Sequence, residues 1–328
     1  MTDVPPGSAI HPVRMAAAVV GALAVGVGIA TQTRINAELG ARLGDGYTAA
    51  IISFGVGLVL VLIAALALPS GRRGLVTLGS AFRQRRIPWW YALGGAAGAM
   101  FVLGQGLLGA VLGVALFTVG IVAGQTTSSL LLDRRGLGTM PARRVTPQRL
   151  VGAVLAVAAV VVAGLGELQT SVPVALVVVP VAIGLLAGAQ PALNGQLRVT
   201  AGSAAAATTV NFVVGTAILL VVALVHAGIA GWPAALPTDP WLYLGGVVGA
   251  AFIAAQTVIV RILGVLLMGL AMLAGQLTAA VLFDLLLPTP GRTLAVVTVV
   301  GAAVTLVAVG VAAIPGRRLR GTSGSGRR

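Results

Sequence analysis

The sequence contains no cysteine and no lysine, and it carries little charge of any kind. Without cysteine the chain can form neither a disulfide nor a thiolate metal site. Its two histidines, His11 and His226, lie far apart near the ends of predicted spans, so a histidine-based metal or catalytic cluster is excluded. We therefore expect no metal and no cofactor. An intramembrane enzyme needs clustered acids, histidines or a serine with a base, and their absence argues against an enzyme.

Charged residues make up 9% of the 328 residues and hydrophobic residues 58%. A soluble domain carries about 25% charged residues, so the composition indicates an integral membrane protein in a lipid bilayer. The net charge of +14 comes entirely from arginine. In a membrane protein arginine marks cytoplasmic loops, and we expect no nucleic-acid partner. The bias toward Ala, Gly, Val and Arg without Lys suggests a GC-rich bacterial coding sequence.

Long apolar runs fill most of the chain. A helix needs about 20 apolar residues to cross a bilayer, and this length predicts ten spans with a tail at each end. The predicted N-terminal tail is 1–14, and the basic C-terminal tail is 316–328. The spans are placed at about residues 15–33, 47–68, 89–108, 111–132, 150–165, 174–193, 204–226, 241–260, 263–286 and 294–314.

An internal repeat underlies these spans. Residues 90–133 recur at 241–284, and a shift of 151 matches 18 of 44 positions without gaps. A chance alignment of apolar stretches would match Leu, Val and Ala, but this one also matches two glutamines, an aspartate and several glycines. Upstream, a shift of 158 relates 32–40 to 190–198 and pairs Phe54 and Gly57 with Phe212 and Gly215. The two copies are predicted at 15–168 and 169–315.

Five spans per copy is an odd number, so the second copy must start on the opposite side of the membrane. The sequence thus predicts an all-α membrane fold of ten helices in a 5+5 inverted repeat, a pattern typical of secondary transporters. Arginine counts orient it. With the N-terminus inside, 18 arginines lie in inside segments, and three, Arg34, Arg42 and Arg292, lie outside. The positive-inside rule then places both termini in the cytoplasm.

Amide side chains are the most distinctive polar feature of the spans. Gln32 with Asn36, and Gln190 with Asn194, are spaced i, i+4, so each pair shares one helix face. An uncharged amide can hold a polar substrate at low desolvation cost, but it can equally act as hydrogen-bond glue between helices. Their symmetric placement favours a shared central cavity near the midplane. The candidate substrate-binding residues are Gln32, Asn36, Gln105, Gln125, Gln190, Asn194, Asn211, Gln256 and Gln276.

Asp133 and Asp284 end equivalent spans, 4 and 9, on opposite sides of the membrane. They are either helix-end residues in the headgroup region or a pair of gate or proton-relay groups, so proton coupling stays open. The glycine-rich runs at 94–98 and 245–249 are interpreted as helix-packing sites, because small residues allow helices to approach closely. Arg34 and Glu38 are spaced for a local ion pair.

Four motifs carry a family resemblance: Q-x-x-x-N-A-x-L-G at 32–40, ISFGVG at 52–57, PWWYALGG at 88–95 and AGQ-x-x-x-S-L-L-x-D at 123–133. The chain resembles the YdcZ-like family of the drug/metabolite transporter (DMT) superfamily, as two fused five-span halves. The resemblance implies an inner-membrane carrier for a small metabolite or drug-like compound, working by alternating access, with export as the direction by superfamily analogy. Small multidrug-resistance relatives couple protons through a Glu in helix 1, which this chain lacks.

The alternative to a transporter is a non-transporting membrane scaffold or regulatory membrane protein. A channel is disfavoured, because the sequence shows neither a ring of charges nor a filter motif. The substrate, the coupling ion and the oligomeric state are not specified by any of these patterns.

Overall fold

The architecture comes from a computed structural model that describes residues 12–136, 147, 150–152, 154–155, 157–158, 174–287 and 296–313. The described chain is helical, with no strand among these residues. Two short 3-10 helices, Trp89–Leu93 and Pro240–Tyr243, precede the glycine-rich runs. The α-helices are α1 Pro12–Leu43, α2 Gly46–Ala67, α3 Pro69–Arg83, α4 Gly94–Leu112, α5 Val114–Arg135, α6 Val174–Ala201, α7 Ala204–Ala230, α8 Gly245–Leu286 and α9 Val296–Ala313.

Seven helical stretches in the described part of the chain are long and apolar enough to cross a membrane. They correspond to predicted spans 1–4, 6, 7 and 9, and they confirm a multi-pass helical membrane protein. Predicted span 5 lies largely outside the described residues, as do both tails. Spans 8 and 10 fall in the first part of α8 and in α9.

The first two helices of each copy are joined by the same kind of turn. Gly44 and Gly202 both have a φ of 62°, a left-handed conformation that glycine adopts without strain. The next residue caps the following helix: Asp45 accepts from the Tyr47 and Thr48 amides, and Ser203 accepts from the Ala206 amide. A shift of 158 therefore relates two turns with equivalent geometry.

The bundle is built from contacts between the two copies. α1 packs most extensively on α8, α5 on α6, and α2 on α7. At the α2–α7 contact the rings of Phe54 and Phe212 lie 5.0 Å apart. Each ring lies over a glycine of the other helix, Phe54 over Gly215 and Phe212 over Gly57. The four residues paired by the sequence repeat therefore meet at one helix crossing.

Helix α8 consists of two segments that run in different directions, although the backbone is helical over all 42 residues. A straight helix of this length would span about 63 Å at 1.5 Å per residue. Yet Gly21 faces Ile259 and Gln32 faces Gly249, whereas Leu23 faces Gly275, and Ala30 packs with Ala279 and Ala280. The first segment is therefore antiparallel to α1 and the second parallel, so the chain reverses direction between Ile259 and Met272.

In the first copy the equivalent reversal is an open break. α4 ends at Leu112, Gly113 has a φ of 75°, and α5 begins at Val114. A shift of 151 pairs this Gly113–Val114 step with Gly264–Val265. The residues predicted as spans 3 and 4, and those predicted as spans 8 and 9, are thus helical in both copies. A glycine turn joins the two stretches in the first copy, and helical backbone joins them in the second.

Helix α3 was not predicted from the sequence, which left residues 69–88 between predicted spans 2 and 3 without assigning them a structure. One face of α3 is buried through Gly71, Gly74, Leu78 and Ala81, while its arginines are exposed. It packs on α6 and α7. The signal was present as apolar and small residues at three- and four-residue spacing, but it was too short to qualify as a span.

Candidate functional site

Two clusters of amides include the residues that precede Phe54 and Phe212 in the chain, Ser53 and Asn211. The first amide cluster consists of Gln32, Thr33 and Asn36 from α1, Ser53 from α2 and Gln105 from α4; all five are buried. Gln32 Nε2 donates to the Gly245 carbonyl at 3.0 Å. The cluster therefore joins helices of the first copy to the start of α8 in the second.

The second amide cluster consists of the equivalent residues Gln190 and Asn194 from α6 and Asn211 from α7. Gln190 Nε2 donates to Asn211 Oδ1 at 3.3 Å. These side chains face the glycine-rich start of α4: a Cβ added at Gly94 would lie 2.6 Å from Asn194 Oδ1, and one at Gly98 would lie 2.6 Å from Gln190 Nε2. Any larger residue at these positions would displace the amides.

The same arrangement holds at the first cluster. A Cβ added at Gly245 would overlap Asn36 Oδ1, and one at Gly249 would lie 2.5 Å from Gln32 Nε2. Each glycine-rich run therefore forms a cradle for the amides of the other copy. The predicted packing role of these glycines is correct, but they pack against polar side chains as well as against backbone.

The two clusters differ in how they are bonded. Asn36 Nδ2 donates to Gln105 Oε1 at 2.7 Å, and Gln105 Nε2 donates to Thr33 Oγ1 at 2.8 Å. The second copy has Pro191 at the position equivalent to Thr33. It keeps the same residue types at the other two positions, where Asn194 is the equivalent of Asn36 and Gln256 the equivalent of Gln105. Among the described residues, neither Asn194 nor Gln256 makes a hydrogen bond, and both are half-buried. The first cluster is thus closed, and the second is loosely packed.

Three buried polar atoms of the clusters have no partner among the described residues: Asn36 Oδ1, Ser53 Oγ and Asn194 Oδ1. Buried polar atoms without hydrogen bonds are costly and call for an explanation. Asn36 and Asn194 occupy equivalent positions, so the same atom is unpaired in both copies. These two carbonyl oxygens can accept hydrogen bonds from a bound molecule.

A charged network lies beyond the first cluster, where α1 meets the segment before α8. Arg42 Nε donates to Glu38 at 2.8 Å, and Arg42 Nη1 donates to Asp239 at 2.6 Å. The predicted Arg34–Glu38 pair is present at 3.9 Å. Sequence reasoning missed Asp239, because no local spacing relates it to Arg42. At the second cluster, the shift of 158 puts Thr200 and Gln196 where Arg42 and Glu38 stand.

Gln125 and Gln276 lie at helix crossings outside both clusters. Gln276 is buried beside Gly26 of α1, and its Nε2 has no partner among the described residues. Gln125 is half-buried and its backbone contacts Gly188 of α6. The structure therefore does not bring these two glutamines together with the other candidate amides.

Asp284 is buried and caps helix α5. Its carboxylate accepts from the Val114 amide at 3.0 Å and from the Ala115 amide at 2.7 Å. An anion is stabilised at a helix N-terminus by the free amides and the helix dipole. Asp284 therefore holds the start of a neighbouring helix from a buried position, and its role as a gate or proton-relay group stays a prediction. The side chain of Asp133 lies outside the described residues.

The described residues of the two clusters are uncharged, and no group of metal-ligating side chains occurs in the part of the chain that the structure describes. What the clusters offer is hydrogen bonding from amides next to aromatic faces. Such a surface can recognise a small polar or aromatic compound, since apolar walls with a few polar groups are typical of ligand sites.

Comparisons with known proteins agree with this architecture. A family model described as "Putative inner membrane exporter, YdcZ" matches residues 17–162 and again residues 175–311. No curated protein matches the chain. A solved structure described only as "Crystal structure of protein" is 18% identical with a TM-score of 0.57, covering 94% of this chain and 99% of its own. At that identity the likeness concerns the fold alone.

The two family matches together cover most of the chain, and each falls within one of the two predicted copies of the internal repeat. The resemblance inferred from the four motifs is therefore confirmed. With seven apolar helices in the described residues, the chain belongs to the YdcZ family of membrane proteins in the DMT superfamily, with two matches to the family model in one polypeptide.

Proposed function

We propose that this chain is a secondary transporter that exports a small neutral metabolite or drug-like compound by alternating access. The proposal includes ten spans in a 5+5 inverted repeat, with copies at 15–168 and 169–315 and both termini in the cytoplasm. One observation carries the proposal. Asn36 and Gln105 are hydrogen-bonded in the first cluster, whereas their equivalents Asn194 and Gln256 make no hydrogen bond among the described residues.

Inverted repeats generate two states by exchanging the conformations of their halves. Here the closed contact is the Thr33–Gln105–Asn36 chain of hydrogen bonds. In the other state Gln256 would approach Asn194 while Gln105 leaves Asn36. The substrate would lie beside the Phe54–Phe212 pair and donate hydrogen bonds to Asn194 Oδ1 in one state and to Asn36 Oδ1 in the other.

With the termini inside, the second cluster lies nearer the cytoplasm and the first nearer the outside. The structure described above then corresponds to an inward-facing carrier. A substrate that reaches Asn194 from the cytoplasm and leaves past Asn36 is exported. Proton coupling through Asp133 and Asp284 is a weaker expectation for Asp284, because its carboxylate holds two backbone amides.

The test is transport by purified protein in liposomes across a metabolite library, with and without a pH gradient. Asn194→Leu should abolish transport without unfolding, because this side chain makes no hydrogen bond among the described residues. Gln125→Leu is the matched control, since its amide lies outside both clusters, and it should retain transport. If every compound stays in place with the wild-type chain, the protein is a scaffold; if Asn194→Leu transports normally, the amides are packing groups.

A further inference from the structure

We propose that the face formed by α3, the 3-10 helix Trp89–Leu93 and α7 is a binding site for an anionic phospholipid. An acyl chain occupies an apolar groove on this face, and the lipid phosphate is held by arginines of the 69–86 segment. This inference concerns the membrane environment of the protein and is independent of whether it moves a substrate.

The groove has a volume of about 390 Å³, and apart from Thr209 its walls are apolar. Leu75 and Phe82 of α3 form one side, Val210 and Val213 of α7 the other, and Trp89 stands at its edge. Trp89 is 71% exposed. Tryptophan favours the membrane–water interface, where its ring contacts acyl chains near the headgroups.

Helix α3 is held firmly enough to act as a wall of this groove. A Cβ added at Gly74 would lie 2.8 Å from the Cβ atoms of both Ala206 and Ser203, so the helix backbone contacts the start of α7 directly. Leu78 is 1% exposed and shares a core with Tyr91 and Leu197. The groove is therefore a preformed feature between packed helices.

The charge of this segment fits a phosphate. Residues 69–88 contain five arginines and no acidic residue. Arg72 and Arg73 donate to the backbone carbonyls of Leu66 and Pro69, and no described carboxylate pairs with any of the five. Arginines on an amphipathic helix at the cytoplasmic surface recognise anionic lipids. All five are exposed: Arg72, Arg73, Arg83, Arg85 and Arg86.

The proposed lipid site occurs in the connection of the first copy and has no counterpart in the equivalent connection of the second. The equivalent connection between α7 and the 3-10 helix Pro240–Tyr243, residues 231–239, has no arginine and no α-helix. On α7 the groove residues Val210 and Val214 flank Asn211 of the second amide cluster. A bound lipid would therefore contact the same turns of α7 that carry this amide.

Quenching of Trp89 by lipids brominated on the acyl chain tests the proposal. The full chain with Trp90→Phe, Trp232→Phe and Trp241→Phe keeps Trp89 as its single tryptophan. It is placed in phosphatidylcholine vesicles that contain a small fraction of brominated phosphatidylglycerol or brominated phosphatidylcholine. We expect half-maximal quenching at a roughly fivefold lower fraction of the anionic lipid, the factor for one basic residue near a charged surface.

Two variants test separately what the apolar groove and the arginines contribute to lipid binding. Gly79 lines the groove, and an added Cβ there meets nothing within 4 Å, so Gly79→Leu should fill the groove and remove the preference for quenching by the anionic lipid. Gly228→Leu, at an exposed helical glycine with the same open surroundings, is its control. Arg83→Gln with Arg86→Gln should remove the lipid preference, whereas the exposed pair Arg14→Gln with Arg135→Gln should not.

Equal quenching by the two brominated lipids in the wild-type background would overturn the proposal, since Trp89 would then contact only bulk lipid. An unchanged preference in Gly79→Leu would overturn the groove as its location. Circular dichroism and monodispersity of each variant show that it is folded. Transport activity is not needed for any of these readouts, so failure here is distinct from failure of the transporter proposal.

Discussion

Gly57 and Gly215 lie beneath the phenylalanines of the opposite copy. A Cβ added at Gly215 would overlap Phe54 Cε1. We therefore expect Gly215→Ala to lower the free energy of unfolding by about 1–3 kcal/mol, the usual cost of overpacking a core. The thermal unfolding midpoint in detergent measures this.

Gly55 provides a control in the same helix as Phe54. A Cβ at Gly55 meets nothing within 4 Å, so Gly55→Ala should leave the midpoint unchanged or raise it slightly, because alanine favours helix. Adding Phe54→Leu to Gly215→Ala should recover part of the loss. Equal midpoints for the two glycine variants would contradict the described packing of α2 on α7.

Gln105 and Gln256 are sequence equivalents in different surroundings. Gln105→Leu leaves Asn36 Nδ2 without its buried acceptor and Thr33 Oγ1 without its donor. Unpaired buried groups cost about 1–3 kcal/mol, and we expect destabilisation of this size in chemical or thermal unfolding. Gln256→Leu should change the stability little, since the described Gln256 makes no hydrogen bond. A similar loss in both variants would show that the second cluster is bonded as tightly as the first.

The amides that form the two clusters could be identified from the sequence, whereas the residues that they contact could not. The i, i+4 spacing placed Gln32 with Asn36 on one face, and the repeat paired them with Gln190 and Asn194. Their neighbours in space are the glycines of the other copy, more than 200 residues away for Gln32 and Gly245. Such contacts depend on how α1 packs on α8, which no local pattern determines.

At the scale of elements, the capping of α5 by Asp284 joins the end of α8 to the break at Gly113. Asp284→Ala should lower the stability by about 0.5–2 kcal/mol, the usual cost of losing a helix cap. Asp284→Asn keeps an acceptor oxygen and should recover most of the loss. Thermal unfolding of the three proteins measures this order.

Transport by the Asp284→Asn protein then distinguishes a role of Asp284 in capping α5 from a role in gating or coupling. A cap needs an acceptor, so the asparagine variant should transport normally if the carboxylate only holds α5. A folded asparagine variant that loses transport would instead assign the charge of Asp284 a role in coupling. Unchanged stability of the alanine variant would contradict the capping role.

The helices themselves were predictable to different degrees. Apolar runs of 20 residues identified α1, α2 and α4 to α7, because burial in lipid requires such length. Helix α3 was not predicted, since a helix that packs on its neighbours with one face needs only that face to be apolar. The continuous backbone of α8 was also unexpected: the apolar pattern marks two spans of about 20 residues, but it does not specify whether the turn between them breaks the helix.

At the scale of the whole molecule, the network around Arg42 adds to the closure at the first cluster. Because Arg42 bridges Glu38 of α1 and Asp239 before α8, Arg42→Gln should favour opening at this end. The chain has no cysteine of its own, so Ser53→Cys provides a single label in the first cluster. In the Arg42→Gln protein this cysteine should react with a thiol reagent roughly twofold to fivefold faster. The expected factor is small because exposed ion pairs contribute at most about 1 kcal/mol to the closed state.

The control for this prediction is Arg14→Gln, which removes an exposed arginine from the start of α1 and should leave the labelling rate unchanged. The same single cysteine also tests orientation, because a membrane-impermeant reagent added outside should reach Ser53→Cys before it reaches Asn194→Cys. Faster external labelling of Asn194→Cys would reverse the proposed topology. An unchanged rate in Arg42→Gln would show that the ion pairs play no part in closure.

Pro191 in place of Thr33 has an energetic consequence for a carrier whose two halves share one chain. Two identical subunits would have inward and outward states of equal free energy, whereas this chain can differ between its ends. The closed first cluster includes a hydrogen bond from Gln105 Nε2 to Thr33 Oγ1 that a closed second cluster could not make with Pro191. At about 1 kcal/mol net, this bond would bias the resting population roughly fivefold toward one side. If the chain exports as proposed, its resting state is open to the cytoplasm, where the substrate is made, and each cycle returns it to that state without a ligand to drive the return.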